Sequence, residues 1–134
     1  MARHLDVGKR GEAAAAERLQ ADGYRILDRN WRSRQLELDL VAEKDGVLVF
    51  VEVKTRAADA LATPEDALGA VKQNRLVRAA ALYLSEHGRW DAPCRFDLMA
   101  VSVHPDGRLD LTHVEDAFDH TASLGSPNQP WQPW

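Results

Sequence analysis

Apolar positions fall into runs whose spacing switches between the helix and strand periods. From residue 6 to 21 the side formed by Gly8, Gly11, Glu12, Ala15, Ala16 and Leu19 recurs at helical spacing, and Asp22-Gly23 ends it, so a helix is predicted there. Tyr24 to Trp31 (YRILDRNW) alternates and predicts a first strand. Leu36 to Arg56 then reads as two strands around a tight turn, because Asp45-Gly46 is a strong two-residue hairpin signal. In the second of these, period-2 alternation puts Val47, Val49, Val51 and Val53 on one face and Leu48, Phe50, Glu52 and Lys54 on the other. In the first, Leu36, Leu38, Leu40 and Ala42 are predicted to share a face, opposite Glu37, Asp39 and Val41. The β-branched run at 47–53 is typical of a strand covered on both faces.

Arg56 to Ala62 reads as a polar loop. Thr63-Pro64-Glu65-Asp66 opens a helix, with Thr63 as N-cap, that runs to about Glu86 and stops at Gly88. Leu68, Val71, Leu76, Ala79, Leu82 and Tyr83 form its apolar side, with Lys72 in the middle and Arg75 close by. Arg95 to Val103 is a strand, His104-Pro105-Asp106-Gly107 a turn, and Leu109 to Val114 the returning strand. A short turn at Glu115 to Phe118 is expected to cover a sheet edge. A domain over residues 1–120 is followed by a Pro- and Trp-containing tail, 121–134, whose composition predicts poor order.

The hairpin carries the chemistry. With Asp45-Gly46 as the loop, Lys44 pairs with Val47, Asp39 falls opposite Glu52, and Glu37 falls opposite Lys54. Directly opposed residues have Cβ atoms roughly 5 Å apart. Two carboxylates at that spacing repel, and one takes up a proton unless a cation lies between them. A divalent metal, with Lys54 at hand for a phosphate or a water, makes this a nuclease-like constellation. The alternative is an exposed sheet face with solvated ion pairs. Against that alternative, Val41, Leu48 and Phe50 share the face with the charges, and unpaired buried charge is costly. A one-residue slip or bulge would separate the four side chains.

Elsewhere the candidates have two readings each. Glu12 sits near a helix N-terminus, where the macrodipole favours a carboxylate whether or not it serves a site. Lys72 either snorkels to the rim or faces the acidic cluster or a phosphate, and the second is preferred. Arg25, Arg29, Arg32 and Arg34 contact phosphates or solvate an edge strand. Asp97 is a further site residue or a partner for an arginine at a strand end. The five histidines lack ligand spacing and none is assigned to a metal.

Composition adds exclusions. Apolar content of 45% with 28% charged residues is that of an ordinary globular protein. No stretch approaches the roughly 20 apolar residues that span a bilayer. The single cysteine, Cys94, excludes an internal disulfide and a thiolate metal cluster. The start has no apolar signal region, and a cytoplasmic location is the expectation. Net charge is −4, but residues 104–134 hold five of the 21 acidic and one of the 17 basic residues, so the body is neutral overall. A wide basic footprint is excluded; a local one is not.

The order helix, strand, hairpin with Asp and Glu-x-Lys, helix, strand resembles the core of the PD-(D/E)XK nuclease superfamily. More narrowly, the chain resembles the bacterial YraN family of predicted endonucleases, relatives of archaeal Holliday-junction resolvases. The matching residues are Gly8, Gly11-Glu12, Asn30, Glu37 to Ala42, Phe50 to Arg56, Lys72 and Arg95-Phe96-Asp97. Leu36 stands where the family usually has glycine. The resemblance implies an α/β, restriction-endonuclease-like fold with a mixed central sheet flanked by helices. It implies Mg²⁺ or Mn²⁺ on Asp39, Glu52 and the Val53 carbonyl, and Lys54 positioning or polarising the attacking water. Glu12 would complete the acidic site, and Lys72, Arg56 and Arg75 would contact nucleic acid. The implied activity is endonucleolytic cleavage of DNA rather than RNA, of branched or repair-related structures by analogy with the resolvases. Those work as dimers, so a homodimer is a further expectation, and no membrane partner is expected. The alternative is a non-catalytic nucleic-acid-binding module of a repair or recombination complex.

Overall fold

The computed structural model describes residues 3–59 and 68–118, with side chains from Val7 onward. In chain order the elements are α1 (Arg3–Ala21), β1 (Arg25–Ser33), β2 (Leu36–Lys44), β3 (Val47–Ala57), α2 (Ala70–His87), β4 (Cys94–Val103) and β5 (Leu109–Val114). The strands form one five-stranded sheet in the order β1-β2-β3-β4-β5. Neighbours run antiparallel except β3 and β4, which are parallel. A parallel pair cannot be closed by a hairpin, and α2 supplies the crossover between them. The expected α/β architecture, a mixed sheet with a helix on each side, is the observed one.

Each helix covers one face. Ala15, Ala16 and Leu19 of α1 pack with Leu40, Ala42, Val49, Val51, Met99 and Val101. Leu76, Val77, Ala80, Tyr83 and Leu84 of α2 pack with Val41, Leu48, Phe50, Phe96 and Leu98 on the other face. The alternation read for β3 therefore holds, and its buried run reflects cover on both sides. The hairpin turn also forms as expected, with Lys44 opposite Val47 and Asp45-Gly46 as its loop.

The alternation read for β2 does not hold along its length. Leu36 and Leu38 join the α2-side core with Val41, whereas Leu40 and Ala42 join the α1-side core. The phase changes at Asp39. On the neighbouring strand Arg29 pairs with Leu40 and Trp31 with Leu38, but Asn30 between them adopts φ 52 and forms no ladder pair with Asp39. A left-handed residue in a strand breaks the pleat, so side chains on either side of it no longer alternate in step.

Two further boundaries differ. The helix expected from Thr63 begins at Ala70, after an extended Gly69 N-cap (ψ 172) that cannot belong to a continuous helix. Thr63 to Asp66 and the tail at 121–134 lie outside the described residues. Val71, assigned to the apolar side, is 75% exposed because it falls in the first turn, off the face that meets the sheet. β3 continues to Ala57, so Arg56 lies on a strand and not in the expected loop. Gly88, at φ 63, ends α2 as expected, its N–H reaching the carbonyl of Ser85.

Asp97 shows how this fold neutralises a buried acid. Its side chain is fully buried and accepts from Arg95 Nε and Nη2, both at 2.8 Å, from the Asp116 N–H at 3.0 Å, and it meets His113 Nε2 at 2.7 Å. Burial alone would push its carboxyl up, but the bonds from His113, Arg95 and Asp116 hold it below the usual aspartate value. Arg95 also donates to the Tyr24 hydroxyl at 2.6 Å, so the network ties β4, β5 and the entry to β1. Asp97 is thus the arginine partner of the two readings. Asp97→Ala removes the buried acceptor shared by Arg95 and His113, leaving Arg95 only Glu115 and the Tyr24 hydroxyl, and is expected to cost ~3–5 kcal/mol in denaturant unfolding at neutral pH. That contribution should fade in acid as the wild-type carboxylate protonates.

Candidate metal and phosphodiester site

The site lies where β2 and β3 part. Their ladder runs from Lys44–Val47 to Leu40–Val51 and ends there, while β3 continues beside β4 to Ala57. The next donor on the vacated side, the Val53 N–H, is taken by Asp39 Oδ2 at 2.8 Å. A side-chain carboxylate thus stands in for the missing strand neighbour and pairs this donor. N–H and C=O of one strand residue point the same way, so the Val53 carbonyl faces the same opening.

Glu52 meets Asp39 here. It is 7% exposed, and its carboxyl is raised to about 7, first by burial and then by the Asp39 charge, with which it shares a side-chain hydrogen bond. Lys72 Nζ, reaching down from the first turn of α2 to Glu52 Oε2 at 3.2 Å, opposes the rise without cancelling it. Of its two readings, Lys72 takes the one that faces the acidic cluster. Lys54, two residues beyond Glu52 on the same face of β3, is exposed and has no ion-pair partner among the described residues. Arg56, two further on, has a buried Nε without a hydrogen-bond partner among those residues. Arg75 lies elsewhere, its Nη2 donating to the Gln35 carbonyl at 2.6 Å.

On the α1 side, Gly11 lets the helix approach β3: a Cβ there would stand 2.1 Å from Thr55 Oγ1. That approach brings Glu12 towards the site. Its carboxyl is raised by burial and then by Asp39, while a hydrogen bond with Asn30 opposes the rise. Asn30, whose left-handed backbone breaks the β2 phase, therefore also holds Glu12. No role was read for it from the sequence, although asparagine tolerates positive φ better than most residues. Glu37 is not opposite Lys54. The phase change at Asp39 turns it outward, where it pairs with Arg32 at 3.3 Å.

The donor set can be tested against Mg²⁺ or Mn²⁺. Among the described residues no group of three or more His, Cys, Asp or Glu is placed to hold a metal. Glu12 is thus a neighbour in charge and not a third ligand here. Mg²⁺, however, usually takes one or two carboxylates and completes its shell with water and phosphate oxygens. Two carboxylates close enough to share a proton, beside a strand carbonyl, fit that requirement. A cation between them would displace the proton that burial and their repulsion retain.

The fold and site together define an α/β protein with a paired-carboxylate centre at the parted ends of two strands. The profile of the uncharacterised protein family UPF0102 matches residues 11–101. A UPF0102 protein of Nitratidesulfovibrio vulgaris is 49% identical over 133 residues, covering 99% of this chain and 98% of that one. One from Symbiobacterium thermophilum is 54% identical over 112 residues, covering 84% and 95%, and one from Bacteroides thetaiotaomicron is 44% identical over 118, covering 88% and 96%. The chain belongs to the UPF0102 family, which bears out the resemblance to YraN proteins. Among solved structures, Pyrococcus furiosus SfsA in complex with Ca²⁺ aligns with a TM-score of 0.42 and 16% identity over 80% of this chain. The chain spans 63% of that structure's length, and the likeness is too loose to bear on function.

Glu52 should cost stability. Because its folded-state value lies above that of an exposed glutamate, the folded chain holds a proton that the unfolded chain has lost between pH 4.5 and about 7, so stability falls as pH rises through that window. Glu52→Gln removes this cost. In EDTA at pH 8 it should unfold at higher denaturant, with a gain of ~1–3 kcal/mol that disappears towards pH 4.

Proposed function

We propose that this protein is a metal-dependent endonuclease that hydrolyses phosphodiester bonds in DNA. The observation that carries the reading is the Asp39–Glu52 pair, two carboxylates kept together although burial first, and the Asp39 charge second, raise Glu52 to about 7. A purely structural acid pair would be neutralised, as Asp97 is.

In this reading Asp39 is held in orientation by the Val53 N–H, and its second oxygen is left for a cation. Asp39, Glu52 and the Val53 carbonyl would hold Mg²⁺ or Mn²⁺, which when bound supplies Lewis-acid polarisation of a phosphate oxygen and lowers the pKa of water. Lys72 keeps one Glu52 oxygen in a charge-assisted bond and so favours the ionised form that binding needs. Lys54 offers an exposed ammonium on the same face, suited to orienting the attacking water and balancing charge that develops on the phosphate. Arg56 adds a second cation two residues beyond Lys54 on the same strand. Glu12, with its carboxyl raised, is placed for proton exchange beside Asp39. The substrate class, branched or repair-related DNA, rests on the relation to resolvases, as does a homodimeric form. No helix among the described residues is long and apolar enough to cross a membrane.

The test is cleavage of labelled linear, flapped and four-way-junction DNAs with Mg²⁺ or Mn²⁺ against EDTA. Metal-dependent cutting is expected, reduced at least ~100-fold in Asp39→Asn and in Lys54→Ala, the scale of losing a group that stabilises transition-state charge. Tight binding without cutting on every substrate would replace the nuclease with the non-catalytic binding module.

A further inference from the structure

Of the twelve arginines whose side chains are described, five form ion pairs. Arg18, Arg25, Arg32, Arg89 and Arg95 each meet a carboxylate. Arg10, Arg29, Arg34, Arg56, Arg75, Arg78 and Arg108 do not, and three of these, Arg34, Arg75 and Arg78, lie together. They line one open groove with Gln35 and Leu36, and among the described residues none of the three has an acidic partner. In a chain of net charge −4 this is not general basicity. Three exposed arginines that border one concavity give it a positive charge that no acidic side chain among the described residues offsets.

Two details indicate that the charges are held there for an anion. Arg75 is fixed by the Gln35 carbonyl, a neutral acceptor that orients the guanidinium and leaves its charge uncompensated. Arg34 stands at φ 60 in the two-residue turn between β1 and β2, where glycine or asparagine would sit more easily. An arginine is kept there against the backbone's preference, which directs attention to its side chain.

The groove's position names the anion. Arg75 follows Lys72 by about one helical turn, a rise of ~4.5 Å, and Arg78 follows by another ~4.5 Å. The cations therefore continue along α2 from the residue bonded to Glu52. One nucleic-acid strand presents a phosphate about every 3.4 Å of axis, so a rise of ~9 Å spans two to three of them. We infer that the Arg34–Arg75–Arg78 groove binds the sugar-phosphate backbone of a nucleic-acid strand flanking the bond held at Asp39 and Glu52. The assignment rests on the nuclease reading for its direction from the site. Its contacts are to phosphates, so it contributes affinity and register and no base preference.

The test uses the full chain in EDTA, with fluorescence anisotropy of labelled single-stranded and duplex DNA over a salt series. In R34G/R78A, glycine suits the left-handed turn and alanine is the better helix former, so the fold should be retained. The variant is expected to bind about tenfold more weakly, with a log–log salt slope shallower by about 2. Should its melting temperature fall, R78A alone carries the measurement, with a slope change of about 1. Unchanged affinity and slope would overturn the groove; if the wild type still cut DNA in a Lys54-dependent manner, the nuclease reading would stand without it. Absence of wild-type binding would overturn the groove as well. Weakened variant binding in a protein that never cuts would keep the groove and remove the nuclease.

Discussion

A carboxylate that replaces a strand is the interaction on which this molecule turns. Beyond Leu40 and Val51 the β2–β3 ladder stops, yet β3 still has a donor pointing into the gap, the Val53 N–H. Asp39 Oδ2 accepts it. Without that bond, parting the strands would leave a part-buried amide unsatisfied, at a cost of ~1–3 kcal/mol. With it, the strands separate cheaply, the Val53 carbonyl is left facing the opening, and Asp39 is drawn against Glu52. The same residue therefore closes the backbone account and creates the electrostatic conflict at the centre of the site.

Two buried acids in neighbouring strands show what that conflict means. Asp97 and Glu52 lie one register step apart across β3 and β4, Asp97 beside Val51 and Glu52 beside Leu98. Both are desolvated. Asp97 receives an arginine fork, a histidine and a backbone amide, and its carboxyl is held low. Glu52 receives one lysine and a second carboxylate, and its carboxyl is held high. Burial is common to both, so the difference lies in the partners. The first arrangement is complete as it stands; the second is complete only with more positive charge, and the role proposed for Glu52 rests on that contrast.

Much of the fold was legible in short-range pattern. The Asp45-Gly46 turn set the hairpin register, and the β-branched run of β3 told correctly that both its faces are covered. From that register came the Asp39–Glu52 neighbourhood. Glu37 and Leu38 were misplaced because period-2 reasoning assumes an unbroken pleat, and Asn30, which breaks it, lies on the adjacent strand. Lys72 was visible as a cation on an apolar stripe that would face the acidic cluster, and it meets Glu52 there. The onset of α2 was misread because Thr63-Pro64 is a good local start signal, whereas the extended backbone at Gly69 excludes one helix running through it.

What the sequence determined by itself is therefore what depends on neighbours along the chain: the C-terminal ends of the helices, the hairpin turn, the alternation of β3, and the family that the ordered motifs mark. What only the tertiary structure decided is which charges meet. Lys72 reaches Glu52 because the crossover lays the first turn of α2 over the end of β3. Glu12 approaches Asp39 because Gly11 allows α1 against Thr55. Arg34 joins Arg75 and Arg78 because a β-turn and a helix distant in sequence border one groove. Electrostatic energies depend on separation in space and on burial, and neither is a property of local sequence.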